Sequence, residues 1–294
     1  MAEIFGFLNI NKPLGMTSHD VVAKTRRVFK IKKVGHAGTL DPLATGVLVL
    51  CMGDATRLSD YVMHNQKTYM AQIRFGQTTD TYDSEGQITA TADASHLTQA
   101  DIQAILPRFT GDILQIPPMY SALKRDGKKL YDLARAGETI ELEPRPVTIH
   151  SLVIAQFNPP TAHIEIRCGS GTYIRSLAYD MGQVLGVGAH LTGLIRVSSG
   201  AFDLSEAHDL ESLLTNPDWK TCLVDENTAL ADMPCVKLDT TDSDHILHGR
   251  NPLHAPVPVG EFGRAYSPDG KFIALLRAEN DGWRPHKVFA SASE

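Results

Sequence analysis

Strand-like alternation and helix-like periodicity follow one another along this chain without settling into a regular β-α-β rhythm, and nothing else in it constrains the fold as much. "FGFLNINKP" alternates and ends at Pro13, as a strand does. "TSHDVVAKTRRVFK" changes period: Thr17 or Ser18 can cap a helix whose one face carries Val21, Val22, Thr25 and Val28. "GVLVLCMG" is apolar almost throughout, the mark of a short buried strand. "DATRLSDYVMH" reads as a helix opened by Asp54, and "KTYMAQIRFG" alternates again. "TTDTYDSEG" is an acidic loop, "TQADIQAILPRF" a helix, and "KLYDLARAG" a helix stopped by Gly137. "VTIHSLVIAQF" and "TAHIEIRC" predict an antiparallel hairpin across "NPP". In "TYIRSLAYDMGQVLG" the apolar residues Ile174, Leu177, Ala178, Met181, Val184 and Leu185 fall three or four apart, which predicts a helix. Elements mixed in this way predict an α+β fold with a mostly antiparallel sheet flanked by helices.

The texture changes after Pro234. "CVKLD", "GRAYSPDGKFIALLRAE" and "KVF" read as short strands about Asp-Gly turns. A small β-rich domain is therefore expected at residues 233–294, linked through Leu223–Met233 to a larger one at 1–232. No apolar run reaches membrane-spanning length, and the first residues lack the regions of a signal peptide, so a cytoplasmic protein is expected. Cys51, Cys168, Cys222 and Cys235 form no C-x-x-C pair, which argues against a disulfide framework or a zinc site. The net charge of −6 is uneven: +5 over residues 1–75, −3 over 76–200 and −8 over 201–294. Lys24–Lys33 holds six cations and no acid, and Lys124–Lys129 is a second cluster. Both suit either a phosphate backbone or a solvated face.

"GHAGTLDPLATGVLVL", Gly35 to Leu50, places the single carboxylate of Asp41 before Pro42 and an apolar run. Pro42 biases Asp41 toward an extended or turn conformation. Gly35, Gly38 and Gly46 permit tight backbone paths, and Ala37, Ala44 and Thr45 leave room for a ligand. A surface turn and a rigidly presented carboxylate both fit. The sequence has no Walker motif, dinucleotide-binding glycine fingerprint, H-E-x-x-H pair or G-x-S-x-G elbow. "GSGTYIR" has the look of a phosphate-cradling loop, which turn glycines explain as well.

"GHAGTLDPLATGVL" closely resembles the catalytic signature of the TruB family of pseudouridine synthases. Further motifs match in the family's order: "KPLGMTSHDVV", "KTYMAQIRFGQTTDTYDSEG", "IPPMYSALKRDGKKLYDLARAG", "CGSGTYIRSLAYDMG" and "GAHLTGLIRVSSGAF". The resemblance covers nearly all of residues 5–205. It implies the pseudouridine synthase fold, with an RNA-contacting insertion at 117–150 and a PUA-like module at the C-terminal end. The implied reaction turns uridine 55 in the T-loop of tRNA into pseudouridine. The nucleotide is flipped out, uracil is detached from C1′ and turned, and C5 is bonded to C1′. It implies no cofactor, no metal, no membrane, no obligate protein partner beside the tRNA, and a monomer.

Residue by residue, the resemblance makes Asp41 the catalytic nucleophile, Arg175 its buried ionic partner, and Tyr69 the aromatic that stacks on the target base. Tyr173 and Leu194 match further pocket residues. His36 matches the residue that packs with extruded T-loop bases. Tyr120, Lys124 and Arg125 lie in the RNA-contacting insertion. The −8 charge of residues 201–294 argues against strong RNA binding by that end. A tRNA-binding folding factor with a vestigial site is the alternative, against which the full set Asp41, Tyr69 and Arg175 speaks. A retaining glycosidase would need a second carboxylic acid about 5 Å from Asp41, and the sequence does not place Asp80, Asp83 or Glu85 there.

Overall fold

A computed structural model describes residues 4–121, 142–280 and 282–289, together with the backbone of 124–125 and 128–129. The first strands are β1 (Phe5–Lys12), β2 (Val34–His36), β3 (Ala44–Gly53), β4 (Lys67–Phe75), β5 (Gln77–Thr79) and β6 (Ile88–Thr91). They are followed by β7 (Gly111–Gln115), β8 (Lys124–Arg125), β9 (Lys128–Lys129), β10 (Arg145–Asn158), β11 (Thr161–Cys168) and β12 (Ala189–Ser199). The last are β13 (Phe202–Asp203), β14 (His208–Asp209), β15 (Cys235–Lys237), β16 (Phe262–Tyr266), β17 (Phe272–Glu279) and β18 (Gly282–Val288). The helices used below are α1 (Ser18–Phe29), α2 (Ser59–Met63), α3 (Gln99–Ile105) and α4 (Ile174–Val184).

A 10-stranded sheet runs β14-β1-β3-β12-β4-β11-β10-β7, with β2 also on β3 and β13 also on β12. Within this sheet, among the described residues, only β1/β14 and β3/β12 pair in parallel, so the expected mostly antiparallel α+β sheet is what the chain forms. The apolar run of β3 has a simple cause. Leu48, Leu50 and Met52 face a core shared with Leu8, Ile10 and the inner faces of α1 and α4, whereas Val47, Val49 and Cys51 join Phe7 on the other side. A strand covered on both faces has no polar side to show. The predicted hairpin forms, with Asn158 opposite Thr161.

The C-terminal strands make a separate sheet, β15-β16-β17-β18. It closes over the second face of the large sheet: Leu275 and Phe289 share a core with Phe7, Val47 and Leu58. The Phe5 and Phe289 rings meet edge-on at 5.6 Å, and the Arg57 guanidinium lies 4.5 Å above Phe289 while donating to the Val288 carbonyl at 2.8 Å.

Several local expectations change. "DATRLSDYVMH" is a 3-10 turn over Asp54–Leu58 running into the single-turn α2, because Asp54 pairs with Lys33 at 2.5 Å instead of capping a helix. Thr17 caps α1, its hydroxyl accepting from the Asp20 amide while the Asp20 carboxylate accepts from the Thr17 amide, but Val28 is 44% exposed because the helix ends beside it, at a left-handed Lys30. The acidic loop begins as β5, paired with β6. The central strand β12 carries no clean alternation: its pairing with β4 shifts between Leu191 and Gly193 and again between Arg196 and Ser198, and each bulge resets the pattern. The expected helix "KLYDLARAG" lies outside the described residues apart from the backbone of Lys129.

Candidate active site

Asp41 stands at the first position of a tight turn, with the Ala44 amide donating to its carbonyl at 3.0 Å and Pro42 at the second position. The turn is clamped from outside. Gly15 donates to the Pro42 carbonyl at 2.9 Å, and the Ser18 hydroxyl both accepts from the Leu40 amide at 2.8 Å and donates to the Leu40 carbonyl at 3.1 Å. The stretch is therefore a turn that holds one carboxylate in a fixed place, between the buried Leu40 and Ala44. The small residues serve a different neighbour from the one expected. Gly46 has φ +96°, and a Cβ there would overlap the Arg196 backbone, because β12 passes alongside with Arg196 opposite Gly46. Ala37 and Ala44 are likewise buried in the core. Of these residues Gly38 lines the cavity described below.

Arg175, in the first turn of α4, joins three segments to that carboxylate. Its Nε meets Asp41 Oδ2 at 2.9 Å and its Nη1 meets Asp83 Oδ2 at 3.2 Å. Nη1 also donates to the Thr81 carbonyl at 3.3 Å, and Nη2 to the Tyr120 carbonyl at 2.9 Å. The side chains of Arg175 and Asp83 are 7% and 3% exposed; that of Asp41 is 40% exposed. Desolvation pushes the Asp41 carboxyl above the ordinary aspartate range, and nearby Asp83 adds to the rise. Arg175 and Lys12 oppose it without cancelling it. The expected offset by Arg175 is thus only partial, because one guanidinium serves two acids.

Asp83 is the residue that sequence reasoning left unplaced. Tyr82 before it takes a left-handed backbone, φ 63°, and its ring stacks on Tyr179 at 4.0 Å. The stacking offsets a conformation that costs an aromatic residue on the order of 1–3 kcal/mol. The chain thereby turns Asp83 inward, where Oδ1 accepts from the Thr81 hydroxyl at 2.6 Å and the Glu85 amide at 3.0 Å. The available signal was a carboxylate flanked by hydroxyls in "TDTYDSEG".

Two cavities meet at Asp41 and Arg175. An inner one of about 260 Å³ is lined by Tyr69, Tyr173, Leu194 and Lys67 among others. An outer groove of about 660 Å³ is lined by His19, Asp83, Glu85 and Tyr120 among others. Thr39, Leu40, Asp41, Ser121 and Arg175 line both and form the throat between them. Buried cations peg the surrounding loops by their carbonyls. Arg196 holds Val47 at 2.6 Å and Gly38 at 3.1 Å, Lys67 holds Met63 and Asn65 at 2.6 Å, and Lys12 holds Pro13 at 2.9 Å and Met16 at 2.6 Å. Sequence reasoning missed all three, although cations in otherwise apolar strands are rarely buried without partners.

Burial lowers the Lys67 ammonium from its ordinary value to about 8. Below that pH the lysine is charged in the folded and unfolded states alike, and the cost of burying the charge is fully present. As pH rises from about 8 toward the unfolded value, the unfolded chain binds more protons, so this residue makes stability rise, by at most about 1.4 kcal/mol per pH unit. Thermal melts of wild type and Lys67→Met from pH 7 to 10.5 should show the wild type gaining on the variant; parallel curves contradict this.

The remaining expected residues are placed as follows. Tyr69 on β4 is buried on the inner cavity, and burial raises its phenol; Leu194 on β12 lies on the same wall. Tyr173 immediately precedes α4, without a side-chain capping bond, and lines the inner cavity. Tyr120 lines the groove and gives its carbonyl to Arg175. His36 on β2 lies against His19 at 5.2 Å between ring centroids and outside the lining of both cavities. Its Nδ1 is buried without a partner, and desolvation, with His19 and Arg196, holds its ring down at about 4. Lys124 and Arg125 form β8 against β9; their side chains lie outside the described residues.

Comparison with known proteins gives consistent matches along the chain. Residues 26–174 match the N-terminal domain model of TruB family pseudouridylate synthases, 175–234 a tRNA pseudouridylate synthase B C-terminal domain, and 233–290 a tRNA pseudouridine synthase II C-terminal domain. The protein is 50% identical over 254 residues to tRNA pseudouridine synthase B of Symbiobacterium thermophilum, covering 85% of this chain and 84% of that one. It is 43% identical over 292 residues to the protein of that name from Dehalococcoides mccartyi strain CBDB1, covering 98% and 97%. Among solved structures, a Cbf5-Nop10-Gar1 complex contains a chain that superposes with a TM-score of 0.76 at 24% identity, covering 97% of this chain and 84% of that one; it shares the fold. Model matches along nearly the whole length and relatives at this identity lead to one conclusion: the chain is an enzyme of the TruB family of pseudouridylate synthases.

Proposed function

We propose that this enzyme isomerises uridine 55 in the T-loop of tRNA to pseudouridine, with Asp41 as the reacting carboxylate. The relatives' names support tRNA as the substrate, and the observation that carries the chemistry is the Asp41–Arg175 pair at the throat between two cavities. A flipped nucleotide laid through that throat puts uracil in the inner cavity, ribose beside Asp41, and its phosphates in the groove. Tyr69 and Leu194 would bracket the base, and base–aromatic stacking of about 1–3 kcal/mol helps offset the few kcal/mol of flipping. Asp41 acts at the sugar, by attack on C1′ or by otherwise assisting the break of N1–C1′. The uracil turns in place, C5 bonds to C1′, the C5 proton leaves and N1 takes a proton, so the product is an isomer.

Arg175 stabilises the charge on Asp41 while the site is dry. Tyr173 completes the pocket. His36 would pack with extruded neighbouring bases, and Tyr120, Lys124 and Arg125 would carry the RNA-contacting segment at 117–150. The C-terminal sheet is read as a PUA-like module. The deciding experiment incubates the protein with an unmodified tRNA transcript and maps pseudouridine at single-nucleotide resolution. Modification at position 55 alone is expected; no pseudouridine, or pseudouridine elsewhere only, overturns the reading.

A further inference from the structure

Among the described residues, no group meets the buried Ser121 hydroxyl at hydrogen-bonding geometry. The residue is 3% exposed, and among the described residues its Oγ has no hydrogen bond within ordinary geometry. The Tyr173 phenol lies close enough for the Ser121 hydroxyl to favour the ionised phenol. Buried polar atoms are rarely left this way, since each orphan costs stability. The position is nonetheless held firmly. Gln115 exchanges bonds with the Tyr173 backbone at 3.0 and 2.8 Å, Ser176 donates to the Ile116 carbonyl at 2.8 Å, and Arg175 takes the Tyr120 carbonyl at 2.9 Å. The segment leading to Ser121 is thus stitched along the first turn of α4, and the guanidinium that pairs with Asp41 also anchors the residue before Ser121.

We propose that the Ser121 hydroxyl bonds the 2′-hydroxyl of the target ribose, so that the throat tells RNA from DNA at that nucleotide. The inference rests on the reaction proposed above. Ser121 lines both cavities, as Asp41 does, and with a base in the inner one and phosphates in the groove, the throat receives the sugar. Arg175 has no free face there, being committed to Asp41, Asp83 and two carbonyls. The ribose carbon on which Asp41 acts is C1′, and the hydroxyl next to it is the 2′-OH, both donor and acceptor. Ser121 Oγ is likewise both donor and acceptor, and carries no charge that would need pairing.

The test uses full-length protein and two RNA hairpins of the T-arm, identical except that one has a single 2′-deoxyuridine at the target. Affinities are measured on the Asp41→Asn background, which holds chemistry off, with and without Ser121→Ala. The parent is expected to bind the ribose hairpin about five- to tenfold more tightly, the scale of one hydrogen bond, and Ser121→Ala to bring the ratio within about twofold of unity. A ratio near one in the parent, or one that Ser121→Ala leaves unmoved, overturns the proposal. So does a clear fall in the melting temperature of Ser121→Ala, which would give the hydroxyl a structural partner. Conversion of the ribose hairpin by wild type is read separately. Failure there sinks the proposed reaction, whereas conversion with an unmoved ratio sinks only the role of Ser121.

Discussion

Asp41→Asn is expected to stop pseudouridine formation and yet to melt at a higher temperature than wild type at neutral pH. The activity loss should be roughly 10⁴-fold or more, the scale on which removal of a reacting group is felt. The gain in stability follows from the direction in which the carboxyl is shifted. Desolvation and Asp83 raise it above its unfolded value despite Arg175 and Lys12. A carboxyl raised in the fold binds protons more readily there than in the unfolded chain. Stability therefore falls as pH climbs from the unfolded value through the folded one, and the cost reaches its full size only above the folded value. Asparagine carries no such cost. The advantage of the variant should shrink as pH is lowered below the folded value, where the wild-type carboxyl is neutral too. Melting curves between pH 4 and 7.5, with single-turnover assays on tRNA, check both halves. A variant that forms pseudouridine at the wild-type rate would remove Asp41 from the mechanism.

Arg175→Met should do the opposite to the fold. It strips the partner from two acids at once and leaves the Thr81 and Tyr120 carbonyls without a donor. Breaking a buried pair from one side costs about 3–5 kcal/mol, which for a chain of this size is a fall on the order of 10 °C in melting temperature. Activity falls with it, because Asp41 loses the charge that favours its ionised form. Adding Asp83→Asn to Arg175→Met should return part of the stability by removing the more deeply buried of the two orphaned charges, but should return little activity. If the double variant is no more stable than the single one, the cost lies in the lost carbonyl contacts rather than in the acids.

The fold and the site were legible to different degrees for physical reasons. Asp41, Tyr69 and Arg175 sit in motifs whose order along the chain is itself the signal, and the structure brings all three onto one cavity. β10, which has two register shifts of its own, is marked by its apolar content and by the turn that joins it to β11, whereas the strands β1, β3, β4 and β11 announce themselves because each has a steady pattern of burial. β12 does not, since two bulges reset its alternation, although it lies at the centre of the sheet and carries Leu194 and Arg196. Asp83 was hidden because a left-handed Tyr82 turns a loop that looks solvated into the interior. Lys12, Lys67 and Arg196 were hidden because their partners are backbone carbonyls, which leave no trace in residue identity.

The way the C-terminal sheet sits on the large one bears on how deletions are to be interpreted. Cutting the chain near residue 233 would uncover Phe5, Phe7 and Leu58, which are packed against Leu275, Phe289 and their neighbours. A shortened enzyme would present a wet greasy face where the full one has an interior, and such faces drive self-association. Weak activity in a truncated protein would then measure its tendency to clump, and would say little about whether the missing part touches tRNA. Charge substitutions on the outer side of the intact module would address that question cleanly.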